Sequence, residues 1–94
     1  MTDNKNRCVI TGLGLVCAIG NSVDEAWKNA VAGVSGIKDT DTVDTKDCYS
    51  TLAAEVRGAD LEDFNHADEM DRVSKLCVKA AKEALADAAY TIPE

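Results

Sequence analysis

Apolar and polar positions along this chain fall into three regimes. Cys8-Val-Ile-Thr11 is apolar on both faces rather than alternating, which predicts a short strand buried from both sides, as in a parallel sheet covered by helices. Gly12 and Gly14 follow and permit a backbone course closed to other residues. Leu13, Leu15, Val16 and Ile19 keep this turn apolar, so it is expected to lie inside something.

From Val23 the period becomes helical. Val23, Ala26, Trp27, Ala30, Val31 and Val34 recur at three- and four-residue steps, with Asp24, Glu25, Lys28 and Asn29 off the stripe. Ser22 with Glu25 three residues on is a capping-box pattern, and Gly33 is a helix stop. The predicted helix is 23–32. Residues 35–50 are polar, rich in Asp and Thr, and read as a loop. Leu52 to Val56 is a candidate short strand, and Asp60 a candidate cap for a single turn through Phe64. The longest periodic stretch is 68–89, where Met70, Val73, Cys77, Ala80, Ala81, Ala84, Leu85 and Ala88 fit helical steps. Asp68, Glu69 and Asp71 crowd its first turn, where the helix dipole favours acids. Glu83 and Asp87 sit among Lys75, Lys79 and Lys82 on what reads as the wet face, allowing weak i,i+4 pairs. The alanine-rich stripe implies close approach to another helix or a sheet, and Pro93 ends the last regular element. Strand, helix, candidate strand, long helix begins an α/β layering without completing one, and a buried-type strand needs partners at its edges.

Composition narrows the function classes. The chain has 94 residues, 46% of them apolar, but much of that is alanine, and the aromatics are only Trp27, Tyr49, Phe64 and Tyr90. One small domain with a thin core is the most such a chain can build. A formal net charge of −7 argues against nucleic acid and against an anionic membrane surface. Apolar runs are far short of a membrane span, and residues 1–6, expected to be frayed, hold no secretory h-region, so the cytoplasm is the expected location.

Candidate chemistry is sparse. Cys8, Cys17, Cys48 and Cys77 are scattered without a CxxC, and His66 is the only histidine. Neither a zinc site nor a disulfide framework is expected, and the cysteines read as small buried hydrophobes. Gly12-x-Gly14 between strand and helix invites a dinucleotide reading, but Cys17 stands where the third glycine belongs and Gly20 comes too late. Cys17 with His66 as nucleophile and base has nothing local behind it. An acyl carrier protein is rejected, because Ser22 follows Asn21 rather than standing in an Asp-Ser-Leu setting. No cofactor is implied.

Read together, Val9-Ile-Thr-Gly-Leu-Gly14, Gly20-Asn21, Trp27-Lys28 and Ala32-Gly-Val-Ser-Gly-Ile37 resemble the N-terminus of a β-ketoacyl-acyl carrier protein synthase of the synthase II type, or a related polyketide ketosynthase. Met70-Asp-Arg72, then Lys79-Ala-Ala-Lys-Glu-Ala-Leu85 and Asp87-Ala88, are similar to the family's next helix. The chain departs from the family at Cys17-Ala18 (usually Ser-Pro), at Val73 (commonly aromatic) and at Ala89-Tyr90 (usually Gly-Leu). These leave the subtype open, including a chain-length-factor-like partner.

The resemblance implies the N-terminal part of a thiolase-like α-β-α-β-α fold, normally a homodimer. It implies enzymes several times longer than this chain, which carry an acyl group on a cysteine and condense it with malonyl-carrier protein by decarboxylation. Their catalytic cysteine, two histidines and lysine all lie beyond the matched region, so no catalytic residue is expected here and the four cysteines match structural positions only. The resemblance therefore points to the N-terminal segment of such a synthase, inactive alone, with acyl carrier protein a partner of the full-length enzyme. The alternative is a stand-alone binding module docking on a ketosynthase or a carrier. Either self-association or an exposed apolar face is expected.

Overall fold

In a computed structural model, residues 4–40, 42–62 and 66–93 are described. Two helices and a small antiparallel ribbon make up the regular structure: α1 (Val23–Val31), β1 (Ile37–Asp39), β2 (Leu52–Ala54) and α2 (Arg72–Asp87). Single 3-10 turns form at Asn4–Asn6 and Ala67–Glu69.

Helix α1 starts where the capping pattern places it. Ser22 is extended and its side chain accepts from the Glu25 amide. The helix ends at Ala32, with Gly33 following at φ +75°, a conformation that glycine adopts without a Cβ clash. Helix α2 begins later than the apolar period suggests. Met70 is extended, and Asp71 is the N-cap, accepting from the Ser74 amide at 3.0 Å. Asp68 and Glu69 therefore belong to the preceding 3-10 turn rather than to the first turn of α2. The C-terminus is set by Ala89, not by Pro93: Ala89 lies at φ 53°, and the Tyr90 amide turns back to the Leu85 carbonyl at 2.9 Å.

β1 pairs with β2 antiparallel, Ile37 opposite Ala54 and Asp39 opposite Leu52. The second strand lies within the candidate strand at Leu52 to Val56, whereas β1 forms inside a stretch read as loop. Asp60 accepts from the Glu62 amide at 3.0 Å, and the helical turn expected through Phe64 runs into residues outside those described.

No ladder forms at Cys8 to Thr11, which corrects the predicted buried strand: Val9 and Ile10 are 79% and 82% exposed. Instead residues 12–15 run antiparallel along α2. The Leu13 amide donates to Asp87 and the Leu15 amide to Glu83. Two residues of extended chain advance about 6.6 Å, and four residues of helix about 6 Å, so the steps match and the segment lies stretched against the helix. Gly12 and Gly14 make this approach feasible. A Cβ on Gly14 would collide with the Ala80 carbonyl and stand 2.7 Å from the Ala84 amide; one on Gly12 would stand 2.7 Å from the Ala88 amide. The alanine stripe thus approaches a glycine-bearing chain. Beyond it, Cys17 and Gly20 exchange backbone hydrogen bonds around a tight turn at Ala18-Ile19 that sends the chain into α1.

Ala26, Leu61 and Ala67 are the buried apolar side chains among the described residues. The radius of gyration is 17.2 Å, against about 12 Å for a compact domain of this length. The arrangement is a mixed α/β layer open on several sides.

Two substitutions probe this frame. Ala89→Gly should raise the unfolding free energy measured in urea, by up to about 1 kcal/mol, because it removes the Cβ penalty of a left-handed helix end. Gly14→Ala should lower it by about 2 kcal/mol or more, and trimming Ala84 to glycine should not rescue it, because the clash is with backbone.

Candidate functional site

Polar side chains gather in two places, and in both they fasten backbone. The first is the carboxylate pair on α2. Glu83 and Asp87 are one helical turn apart, and their carboxylates bind backbone amides instead of forming the expected wet face with the lysines. Glu83 is bidentate: Oε1 accepts from the Leu15 amide at 2.8 Å and Oε2 from the Val23 amide at 3.0 Å. Val23 is the first residue of α1, where amides lack intrahelical acceptors and the dipole favours negative charge. One carboxylate therefore ties the 12–15 segment, the start of α1 and α2 together. Asp87 Oδ2 accepts from the Leu13 amide at 3.0 Å. Asn29 Nδ2 adds a 2.6 Å bond to the Ile19 carbonyl, closing the turn against α1.

This settles what Gly12-x-Gly14 does. A dinucleotide would need free amides and room for phosphate. Here the glycines are pressed on α2, and the amides after each already donate to carboxylates, whose charge would repel an anion.

The second place is Glu55, just after β2. Its Oε1 accepts from Thr40 Oγ1 at 2.6 Å and from Thr42 Oγ1, and its Oε2 meets Arg57 Nη2 at 3.1 Å. Arg57 Nη1 reaches the Gly36 carbonyl, and Arg72, the first residue of α2, donates to the Val56 carbonyl at 2.8 Å. Thr42, Glu55, Val56, Arg57 and Arg72 line an open hollow with Val43 and Leu76. The Glu55 carboxyl is held below its ordinary value of 4.5, chiefly by the Thr40 and Thr42 hydroxyls; desolvation opposes them, and the charges of Arg57 and Arg72 add smaller lowering effects. Asp71 is likewise lowered, by its bonds to the Ser74 side chain and amide. Sequence reasoning missed the Glu55 cluster. Its one signal was Thr40 and Thr42 two residues apart, beside a carboxylate late in the next apolar run.

The sequence-flagged nucleophiles stand apart from these clusters. All four cysteines are free thiols; Cys8, Cys48 and Cys77 are exposed and Cys17 half-buried, which corrects their reading as buried hydrophobes. Cys8 lies just before the exposed Val9 and Ile10, and Cys77 lies on α2. Cys17 lines an apolar groove with Leu15, Ile19, Val23, Trp27 and Ala30, with no titratable base among the lining residues. His66 is exposed, with Nδ1 3.2 Å from Glu69 Oε2. Among the described residues no group of three His, Cys, Asp or Glu is placed to hold a metal, and no helix is long and apolar enough to cross a membrane.

A helix-braced α/β layer whose polar groups secure backbone is what the geometry defines. Over residues 5–94 the sequence matches the family described as β-ketoacyl synthase, N-terminal domain, and the chain belongs to that family. It is 40% identical over 97 aligned positions, covering 100% of this chain and 23% of the relative, to a 3-oxoacyl-[acyl-carrier-protein] synthase 2 of Staphylococcus aureus strain COL. The counterpart in strain MRSA252 is 40% identical over 91 positions, 94% of this chain and 22% of the relative. That of Vibrio cholerae serotype O1 is 33% identical over 94 positions, 97% of this chain and 23% of the relative. The chain spans under a quarter of the length of these relatives.

The Glu55 cluster generates a pH prediction. A carboxyl whose folded pKa is depressed contributes stability in full above its unfolded value, near 4.5, and loses that contribution as pH falls through the lower folded value. Glu55→Gln should therefore lower the urea midpoint at neutral pH, and the gap from the unsubstituted chain should narrow as the pH falls below 4.5. A gap independent of pH would show that Glu55 acts by packing alone.

Proposed function

We propose that this chain is the N-terminal structural segment of a 3-oxoacyl-[acyl-carrier-protein] synthase. On this reading the whole enzyme condenses an enzyme-bound acyl group with malonyl-carrier protein, with loss of carbon dioxide. The observation that carries the reading is the family match over nearly the whole chain, at a share of about 23% of relatives bearing that name. Uncovered apolar surface supports it: Trp27 and Val31 on α1 are both 70% exposed beside the apolar groove. Surface of that kind is characteristic of an interface awaiting a partner.

The segment's part in such an enzyme is architectural: it supplies two packing helices, with a glycine-bearing extended segment laid along the second, to a thiolase-like half. No residue of this chain is assigned a catalytic role, and no cofactor or metal is required of it. Acyl carrier protein is the partner of the whole enzyme, which on this reading is a cytoplasmic homo-oligomer.

Two preparations test this. The 94-residue chain assayed with acyl- and malonyl-carrier proteins should show no condensation. A chimera in which this chain replaces the aligned 97 positions of the Staphylococcus aureus synthase should fold and condense. Activity of the short chain, or a chimera that folds with no condensing activity, would overturn the reading.

A further inference from the structure

Helix α1 leaves its apolar stripe in the open. Trp27 and Val31, one helical turn apart, are each 70% exposed, and Val34 just past the helix end is 48% exposed. Beside them runs an apolar groove with Leu15, Ile19, Val23, Trp27 and Ala30 among its lining residues, none of which is charged. Two bonds fix the roll of the helix and keep the stripe from turning inward. Glu83 on α2 accepts from the first amide of α1, at Val23, and Asn29 of α1 donates to the Ile19 carbonyl at 2.6 Å.

We propose that this face of α1 seats the part of a synthase polypeptide that lies outside the region aligned with this chain. In the whole enzyme the groove is then internal, neither a ligand pocket nor a surface for a separate molecule. The proposal rests on the synthase reading and adds which face closes the fold. Length names the occupant: the aligned positions make up 23% of the Staphylococcus aureus relative, so most of such a polypeptide is available to cover the face. The chemistry of the groove agrees. A permanent interface is apolar, like a domain core cut in half, whereas one that forms and separates is more polar. A second copy of the chain is disfavoured, because each carries a formal net charge of −7 and like net charges oppose association.

The test places the same substitutions in two settings. One is the 94-residue chain; the other is the chimera that carries it in place of the 97 aligned positions of the Staphylococcus aureus synthase. Hydroxyl-radical footprinting read by mass spectrometry reports exposure residue by residue. Trp27 and Val31 should be labelled in the short chain at every concentration and should lose that labelling in the chimera. Trp27→Glu should change the urea midpoint of the short chain little, as substitutions at exposed positions do, and should abolish the soluble, condensing chimera. Lys28→Gln, exposed and off the stripe, should leave the chimera's yield and activity unchanged. The inference fails, with the synthase reading left standing, if the unsubstituted chimera condenses while Trp27 stays labelled, if it tolerates Trp27→Glu, or if Lys28→Gln abolishes it equally. Labelling of Trp27 that falls as the short chain is concentrated would make a second copy the occupant and also overturn it. An unsubstituted chimera without condensing activity overturns the synthase reading, and the inference with it.

Discussion

Gly12 and Gly14 let a stretched chain lie directly on the backbone of α2, and the other contacts follow from that approach. A single Cβ at either glycine would hold the chain away from the helix, because the atoms it meets are carbonyls and amides that cannot be trimmed. At glycine range the carboxylates of Glu83 and Asp87 reach the Leu13 and Leu15 amides. Because Glu83 also takes the first amide of α1, the position of that helix depends on the same approach. Alanine is the other half of the constraint at Ala88, the C-cap of α2, whose own Cβ lies 2.8 Å from where a Cβ on Gly12 would stand.

Carboxylates here do work that an aqueous surface charge does not. A bond from an amide to an ionised acceptor is stronger than one between neutral groups, although water weakens those that stay exposed. With only Ala26, Leu61 and Ala67 buried among the described residues, such bonds hold the elements where apolar burial is thin. Glu55 plays the corresponding part at the ribbon, gathering Thr40, Thr42 and Arg57 around one carboxyl, while Arg72 ties the start of α2 to the Val56 carbonyl beside it. A formal charge of −7 therefore overstates how much acid is left to act as a solvated field. Several acids are turned inward onto amides and hydroxyls.

Both helices were legible in the sequence, because their ends are encoded locally. Ser22 with Glu25 marks one start and Gly33 one stop, and each depends on a neighbour within a few residues. The start of α2 was placed too early because Asp68, Glu69 and Asp71 are all acids suited to a first turn, and only backbone geometry at Met70 singles out Asp71 as the cap. β1 was invisible: three residues, Ile37-Lys-Asp39, carry no period, and their pairing is set by β2 more than a dozen residues away. The Glu83–Asp87 site was half legible. Helical periodicity places both on one face, and the presence of lysines suggested water. Periodicity says which residues share a face; it does not say what lies opposite.

The missing strand at Cys8 to Thr11 has the same origin and carries the argument furthest. A run apolar on both sides encodes an environment: two covered faces and two paired edges. This chain supplies α2 as a cover for residues 12–15 and two carboxylates for the alternate amides of one edge. It supplies nothing over Val9 and Ile10. A strand is a cooperative arrangement, and partial satisfaction leaves a stretched chain without a ladder. The same incompleteness appears on α1, whose stripe from Val23 to Val31 has the period of a core helix while Trp27 and Val31 stand in the open. Sequence periods at both places describe a thicker structure than 94 residues can close, as relatives four times longer would provide.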